Sequence, residues 1–299
     1  MMRSVRFSLA LPMLPPDRLI PLARRADETG WDGVMVPESV FAPETVSARY
    51  PYTEDGERFW PLDSPFVDPW VAIPALAAVT SRLRFGTSVN KLSLRHPLLF
   101  AKTVGSTAAM FPGRIEVGVG MSWIPEEFAW LGQDMRTRGV RLDEQIEVLR
   151  ACLAGGWVEH HGRFYDFGRL RMDPAPTEPV PVLVGGHSDP GLRRAVRLGD
   201  GWIGAQVTVD DLRDVVDRLD RARHEVGDDA RVPADRFEIK VTPLVAPTPE
   251  AMSEVAELGV TEVITVPWYF FGGDPTDPDV QFESVARFAA DVIDPLRPT

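Results

Sequence analysis

Two hydrophobic patterns alternate along the chain. Residues 5–11 form a short, mostly apolar run, whereas within residues 16–29 the apolar positions Leu19, Leu22 and Ala26 lie three or four residues apart. The first pattern predicts a buried strand and the second an amphipathic helix. Further strands are predicted at residues 32–37, 83–89, 114–120, 180–184, 201–205, 237–245 and 262–266. Further helices are predicted at residues 68–80, 96–110, 139–153, 189–198, 210–225, 249–258 and 280–293.

The alternation of eight strands with eight helices predicts how the elements are arranged. Several strands are apolar throughout, as expected when helices cover a parallel sheet. Three helices end in a glycine that leads directly into a strand, at Gly30, Gly199 and Gly259, which is typical of the short connections in a barrel wall. We therefore predict a single α/β domain over residues 1–299, a (β/α)8 TIM barrel. A doubly wound open sheet is the alternative.

Two inserted loops interrupt the pattern, after the second and the fourth predicted strands. Residues 38–67 lack periodicity and contain six aromatic side chains, Phe41, Tyr50, Tyr52, Phe59, Trp60 and Phe66. A long loop at the carboxyl end of a barrel strand predicts a wall of an active site. Residues 155–179 are predicted to form a hairpin near the barrel mouth, which either touches the substrate or lies clear of it.

Composition and charge exclude several classes of protein. Hydrophobic residues make up 44% of the 299 residues, as in ordinary globular proteins. The 32 basic and 44 acidic residues give a net charge of −12, which opposes a nucleic-acid groove. No stretch reaches the ~20 apolar residues of a membrane span, and prolines at positions 12, 15 and 16 break the first apolar run. We expect a cytoplasmic protein that binds a small-molecule substrate, and neither nucleic acid nor a membrane.

Metal-dependent and serine hydrolases do not fit the polar residues. Cys152 is the only cysteine, and the five histidines include no His-x-His or His-Glu-x-x-His pair. A Gly-x-Ser-x-Gly nucleophile motif is also absent. The sequence therefore predicts no metal site.

Glycine pairs follow two successive predicted strands. Gly118 and Gly120 close the fourth strand, while Gly185 and Gly186 close the fifth, just before His187 and a predicted helix. Glycines at such positions let a bulky ligand approach the backbone, and a helix N-terminus offers N–H groups to a phosphate. Together they predict cofactor binding, although tight turns alone could also require them.

Four segments, at residues 83–89, 95–102, 113–120 and 184–202, resemble the bacterial luciferase-like superfamily in sequence and in order. The resemblance extends over nearly the whole chain. Within the superfamily, residues 49–69 are most similar to the actinobacterial oxidoreductases that use coenzyme F-420, a deazaflavin.

The resemblance implies a cofactor site at the barrel mouth and hydride transfer at the cofactor ring. Ser88 and Val89 would form a bulge beneath the ring, where relatives often have a non-proline cis peptide. Gly118, Gly120 and Ser122 would line a second side of the cofactor. Gly185, Gly186 and His187 would bind its phosphate.

The sequence departs from the sugar-phosphate dehydrogenases of this superfamily at two positions. Ser39 stands where those enzymes have a histidine, and Trp123 stands where they have a glutamate. We therefore do not predict sugar-phosphate dehydrogenation. Ser39, Trp60 and Trp123 are predicted to line the substrate pocket, which favours an apolar or planar substrate.

Two residues are candidates for proton transfer. Glu38 could act as an acid or base if it is buried among the aromatic side chains, or it could instead pair with Arg95 or Arg84. His96 is the first residue of a predicted helix, directly ahead of Pro97, where it is either catalytic or structural.

The main functional prediction is an oxidoreductase that transfers hydride between coenzyme F-420 and an organic substrate. A reduced-FMN monooxygenase and a non-catalytic flavin-binding protein are the alternatives. An anionic F-420 tail would require basic groups at the rim, for which Lys91, Arg95 and Arg193 are candidates. The resemblance also implies a homodimer.

Overall fold

Eight parallel strands and their covering helices form the body of the computed structural model, which describes residues 5–297. The strands are β1 (Arg6–Ala10), β2 (Gly33–Val36), β3 (Arg84–Thr87), β4 (Val117–Val119), β5 (Trp157–His161), β6 (Asp166–Arg171), β7 (Val182–Gly185), β8 (Gly201–Val207), β9 (Glu238–Pro243) and β10 (Glu262–Thr265). The helices are α1 (Pro16–Glu28), α2 (Pro69–Ala78), α3 (Pro97–Met110), α4 (Pro125–Trp130), α5 (Arg138–Leu153), α6 (Asp189–Leu198), α7 (Val209–Val226), α8 (Pro249–Glu257) and α9 (Pro278–Phe288).

The main sheet closes on itself. Its strand order is β3-β2-β1-β10-β9-β8-β7-β4, and every neighbouring pair is parallel. Backbone hydrogen bonds then join the two end strands: the N–H of Phe85 donates to the carbonyl of Arg114, and the N–H of Asn90 donates to the carbonyl of Gly118, both at 2.7 Å. The predicted (β/α)8 TIM barrel is confirmed, and the open sheet is excluded.

Local sequence signals explain where the helices begin. The Asp68 carboxylate accepts a hydrogen bond from the N–H of Trp70, with Pro69 as the first residue of α2. Thr208 and Asp211 form a reciprocal capping box at the start of α7. These caps satisfy N–H groups that have no partner inside the helix, so each helix begins at a fixed residue directly after a loop from the barrel mouth.

The barrel interior has two layers. Towards the carboxyl ends of the strands, five apolar side chains fill it: Ala10, Met35, Leu183, Ile203 and Ile264. Towards the amino-terminal ends, charged side chains fill it instead, including the fully buried Lys240. The apolar layer is the floor beneath any molecule that enters the mouth.

Two regions differ from the predicted pattern. Helix α4 was not predicted, because its six residues are too few to show a helical period. The predicted hairpin is present as β5 and β6, but it follows α5 and not the fourth barrel strand itself. Its turn lies outside the barrel, where the N–H groups of Phe164 and Tyr165 donate to the Glu144 carboxylate of α5. Within residues 5–297, no helix is long and apolar enough to span a bilayer.

Candidate active site

The peptide between Ser88 and Val89 is cis, as the resemblance implied, and it places Val89 at the barrel mouth. Val89 packs on the apolar layer and lies against both glycine pairs. A Cβ atom on Gly120 would be 2.6 Å from one Val89 methyl group, and a Cβ on Gly185 would be 3.2 Å from the other. Gly120 and Gly185 therefore make room for the bulge.

Two other predicted cofactor residues are occupied by contacts within the protein. A Cβ on Gly118 would lie 2.0 Å from the carbonyl oxygen of Thr87, so glycine is required there for β3 and β4 to approach each other. The Ser122 hydroxyl donates to the Glu127 carboxylate and accepts from the N–H of Ile124. The sequence did not predict these contacts, and the cofactor-binding roles of Gly118 and Ser122 stay predictions.

The loop after β7 is open to an anion. Gly186 has φ of +123°, which favours glycine, and a Cβ there would have only Gly191 within 4 Å. The backbone N–H groups of residues 186–189 make no hydrogen bond to any residue between 5 and 297. Burial and the nearby Arg218 guanidinium lower the pKa of His187, so its ring is neutral at pH 7. These features fit a phosphate held by backbone N–H groups at the start of α6.

Two buried carboxylates hold the chain that follows the bulge. Glu38 accepts hydrogen bonds from the Asn90 amide at 2.9 Å and from the N–H of Lys91 at 2.5 Å, and it pairs with Arg95. Glu127 accepts from the Lys91 ammonium at 2.5 Å. Of the two interpretations of Glu38, this geometry favours the ion pair, formed with Arg95 and not with Arg84. Neither Asn90 nor Glu127 was identified from the sequence, because nothing local marks them as partners.

His96 lies at the start of α3. Its Nδ1 accepts a hydrogen bond from the N–H of Leu98 at 3.3 Å, and its exposed ring packs against Tyr165 of the hairpin at 5.5 Å. This is the arrangement of a helix cap, so the geometry favours the structural interpretation, and the catalytic role stays a prediction.

The insertion after β2 crosses the barrel mouth. In the closed barrel, β8 is four strands from β2 and therefore lies opposite it. The tip of the insertion nevertheless lines one cavity, of about 440 Å³, together with residues of β8 and α7. On the way across, Tyr50 contacts the Trp123 ring at 5.2 Å, and Tyr52 contacts the His187 ring at 5.5 Å. We call residues 37–67 the crossing segment.

The base of the crossing segment contains a smaller cavity of about 160 Å³. Ser39 and Trp60 line it together, along with Phe41, Leu62 and Phe66. Trp123 does not line this cavity, but Tyr50 contacts both tryptophans, with its ring centroid 5.1 Å from that of Trp60. The structure thus places the three predicted substrate residues in one region, linked by an aromatic residue that the sequence indicated only as part of the loop.

The cations predicted for the rim are all paired with carboxylates. Lys91 binds Glu127, and Arg95 binds both Glu38 and Asp68. The third candidate, Arg193, pairs with Glu225 on the surface. The structure therefore brings no unpaired basic group to the rim from these three positions.

Three carboxylates lie close together in the charged layer, towards the amino-terminal ends of the barrel strands. Their oxygen atoms are within 4.8 Å of one another, a spacing that could also hold a metal ion. The carboxylates belong to Glu116, Glu238 and Glu262. The Lys240 ammonium lies 2.5, 3.3 and 2.9 Å from them, respectively, and therefore supplies the cation itself. This cluster lies beneath the apolar layer and away from the mouth.

Comparisons with known proteins agree with this architecture. The family model described as luciferase-like monooxygenase matches residues 5–286. An uncharacterised protein of Mycobacterium bovis is 40% identical over 292 residues, which is 97% of this chain and 99% of that protein. The F420-dependent glucose-6-phosphate dehydrogenase of Nakamurella multipartita is 30% identical over 193 residues, which is 63% of this chain and 52% of that enzyme.

A solved structure shares the fold at low sequence identity. The coenzyme F420-dependent tetrahydromethanopterin reductase from Methanopyrus kandleri superposes with a TM-score of 0.75 at 15% identity, covering 98% of this chain and 100% of that one. The family match and the 40% identical relative lead to one conclusion. The chain belongs to the luciferase-like monooxygenase family and is an oxidoreductase.

Proposed function

We propose that the protein transfers hydride between coenzyme F-420 and an apolar or planar organic substrate. The observation that carries this proposal is the geometry of the barrel mouth. Val89 packs there on the apolar layer, beside Gly186, where a Cβ atom would have open space. The floor suits a flat tricyclic ring, and the free N–H groups suit its phosphate. F-420-dependent relatives support the choice of cofactor.

The protein's own groups would bind and orient the cofactor and would exclude water from the site. A bound deazaflavin supplies hydride at a ring carbon. Gly186 and His187 would hold the phosphate, and Val89 would support one face of the ring. Glu38 and Glu127 would keep the bulge in place through Asn90 and Lys91. The crossing segment would exclude water from the mouth, which strengthens electrostatic interactions inside it.

The substrate is proposed to bind next to Trp60 and Ser39. Six of the eight residues that line the small cavity there are apolar, although polar atoms form most of its surface, and Tyr50 and Trp123 extend the aromatic surface of Trp60 towards the mouth. Such a surface gives affinity to planar and apolar groups through burial and ring contacts. Quinones and cyclic enones have the required shape and can accept hydride.

Fluorescence quenching of each cofactor tests the proposal. We expect F-420 to bind the unsubstituted protein and Gly186→Val to weaken that binding by at least tenfold, because a side chain would enter the phosphate site. Gly168→Val, in the exposed hairpin, is the matched control and should leave binding unchanged. Binding of FMN without binding of F-420 would refute the cofactor assignment.

A reduced-FMN monooxygenase is the second candidate, and one observation favours it. The cavity at the tip of the crossing segment is lined by Glu54, Asp211 and Asp214, whereas its arginine, Arg218, is already paired with Asp189 and Asp214. Carboxylates at this place oppose a tail with several negative charges more than they oppose a single phosphate. The fluorescence-quenching titration described above, carried out with FMN and with F-420, distinguishes the two candidate functions.

We also propose that two copies of the chain associate through α2 and α3. Helix α2 contains no charged residue, and its exposed positions Val71, Ala75 and Ala78 form one apolar stripe. Leu99 and Met110 extend it on α3 with 74% and 67% exposure. Because each copy has a net charge of −12, a face without carboxylates that meets its own symmetry mate is where repulsion is least.

A further inference from the structure

Hydride transfer to a carbon–carbon or carbon–oxygen double bond leaves a basic atom on the substrate, which must receive a proton. Two carboxylates near the mouth are already engaged in ion pairs. Glu38 is paired with Arg95, and Glu127 with Lys91. His187 is neutral and lies at the phosphate end of the site. The substrate end therefore needs another donor, provided that the proposed function holds.

Tyr50 is at the substrate end. Its ring centroid lies 5.1 Å from that of Trp60 and 5.2 Å from that of Trp123, so it sits between two of the predicted substrate residues. Its hydroxyl makes no hydrogen bond to any described residue, and it is not among the enclosed polar atoms that lack a partner. The hydroxyl is therefore exposed to solvent and can donate to a molecule that binds against the two tryptophans.

The part of the crossing segment that carries Tyr50 is internally braced. The N–H of Tyr50 donates to the carbonyl of Gly56 at 2.7 Å, and the Arg49 guanidinium donates to the carbonyls of Glu54 and Asp55. Gly56 has φ of +74°, which allows this tight return of the chain. A side chain fixed to a braced loop can hold a proton at a defined position.

We propose that Tyr50 is the catalytic proton donor of the reduction. A bound reduced deazaflavin would supply a hydride to one end of the substrate double bond. The other end would take the proton from the Tyr50 hydroxyl, whose O–H bond breaks. The phenolate would regain a proton from solvent, which takes up the proton that the cofactor loses on oxidation, so that the substrate gains two hydrogens in all.

The acid–base properties of Tyr50 agree with this role. Burial raises the pKa of the Tyr50 hydroxyl, and the neighbouring Tyr52 raises it further when ionised. The hydroxyl is therefore fully protonated at neutral pH. An enolate or alkoxide formed by hydride addition is a much stronger base than a phenolate, so the proton transfer is still favourable.

Steady-state reduction of 2-cyclohexen-1-one by reduced F-420 tests the assignment. General acid catalysis contributes about 10²–10⁴-fold, so Tyr50→Phe should lower kcat by roughly 100-fold or more. The Kd of F-420 should stay within threefold. Tyr269→Phe, at an exposed tyrosine outside the crossing segment, is the matched control and should retain kcat. A kcat of Tyr50→Phe within threefold of the unsubstituted enzyme would overturn the assignment.

A second readout does not depend on turnover. The Kd of cyclohexanone for the protein loaded with oxidised F-420 should rise about threefold or more in Tyr50→Phe, because the hydroxyl no longer donates to the carbonyl oxygen. An unchanged Kd would place the Tyr50 hydroxyl away from the reacting double bond and refute the proposal. Failure to bind either F-420 or FMN would instead refute the proposed function, on which the assignment rests.

Discussion

At the scale of single residues, the barrel interior contains a buried lysine. Lys240 is fully buried and bonds the carboxylates of Glu116, Glu238 and Glu262, while Arg6 pairs with two of these carboxylates. Arg84 pairs with Glu116 and completes a balance of three cations against three anions. A buried charge is tolerated only when it is paired in this way, so each member depends on the others.

Replacing Lys240 by methionine is expected to destabilise the protein strongly. The three carboxylates would share two arginines, and one buried negative charge would lack a partner, a loss of about 3–5 kcal/mol. Urea unfolding measures the difference. Arg213→Met is the matched control, because Arg213 forms ion pairs on the surface with half its side chain exposed. A change of ~1 kcal/mol or less is expected there, and equal losses in both variants would contradict the prediction.

The same cluster predicts a loss of stability in acid. The Lys240 and Arg6 cations lower the pKa of Glu262 from its ordinary value of 4.5 to about 2, against the opposing effect of burial. A depressed pKa in the folded state means that the stabilisation is present above pH 4.5 and disappears as the pH falls towards 2. The free energy of unfolding, measured across this range, should fall with pH more steeply for the unsubstituted protein than for Glu262→Gln. Parallel curves would show that Glu262 is not the responsible group.

At the scale of elements, hydrophobic periodicity alone predicted the eight barrel strands and their helices, because each contributes an apolar face to one core. Gly30 was also correctly identified as the residue that ends a helix. Contacts between distant elements could not be predicted. The Glu38 carboxylate meets Asn90 and Arg95 more than fifty residues away, so the sequence left its role open. The path of the crossing segment could not be predicted either, because it depends on which strands lie opposite each other in the closed barrel.

The seam between β3 and β4 predicts a sharp difference between two glycines. Gly118→Ala should destabilise the barrel by about 1–3 kcal/mol or more, because its Cβ would overlap the Thr87 carbonyl and force two strands apart. Gly168→Ala, in strand β6, has open space and should change stability by less than about 0.5 kcal/mol. Thermal unfolding of both variants provides the measurement. A stable Gly118→Ala protein would mean that the seam can widen freely.

At the scale of the whole molecule, the face of α2 and α3, which carries no carboxylate, predicts the state of association. The double variant Val71→Asp/Leu99→Asp should sediment as a monomer, since two added carboxylates on each copy would face those of its mate. Ile20→Asp, on helix α1, is the control and should leave the dimer intact. Sedimentation velocity gives both results. A monomeric unsubstituted protein would refute the proposed association.

The crossing segment has one further consequence for how molecules come and go. Its tip and its base border separate cavities, the larger beside His187 and the smaller beside Trp60, and its aromatic middle stands between them. The two cavities therefore lie at different ends of the segment. Under the proposed function, the product would leave from the base of the segment while the cofactor stayed bound at its tip.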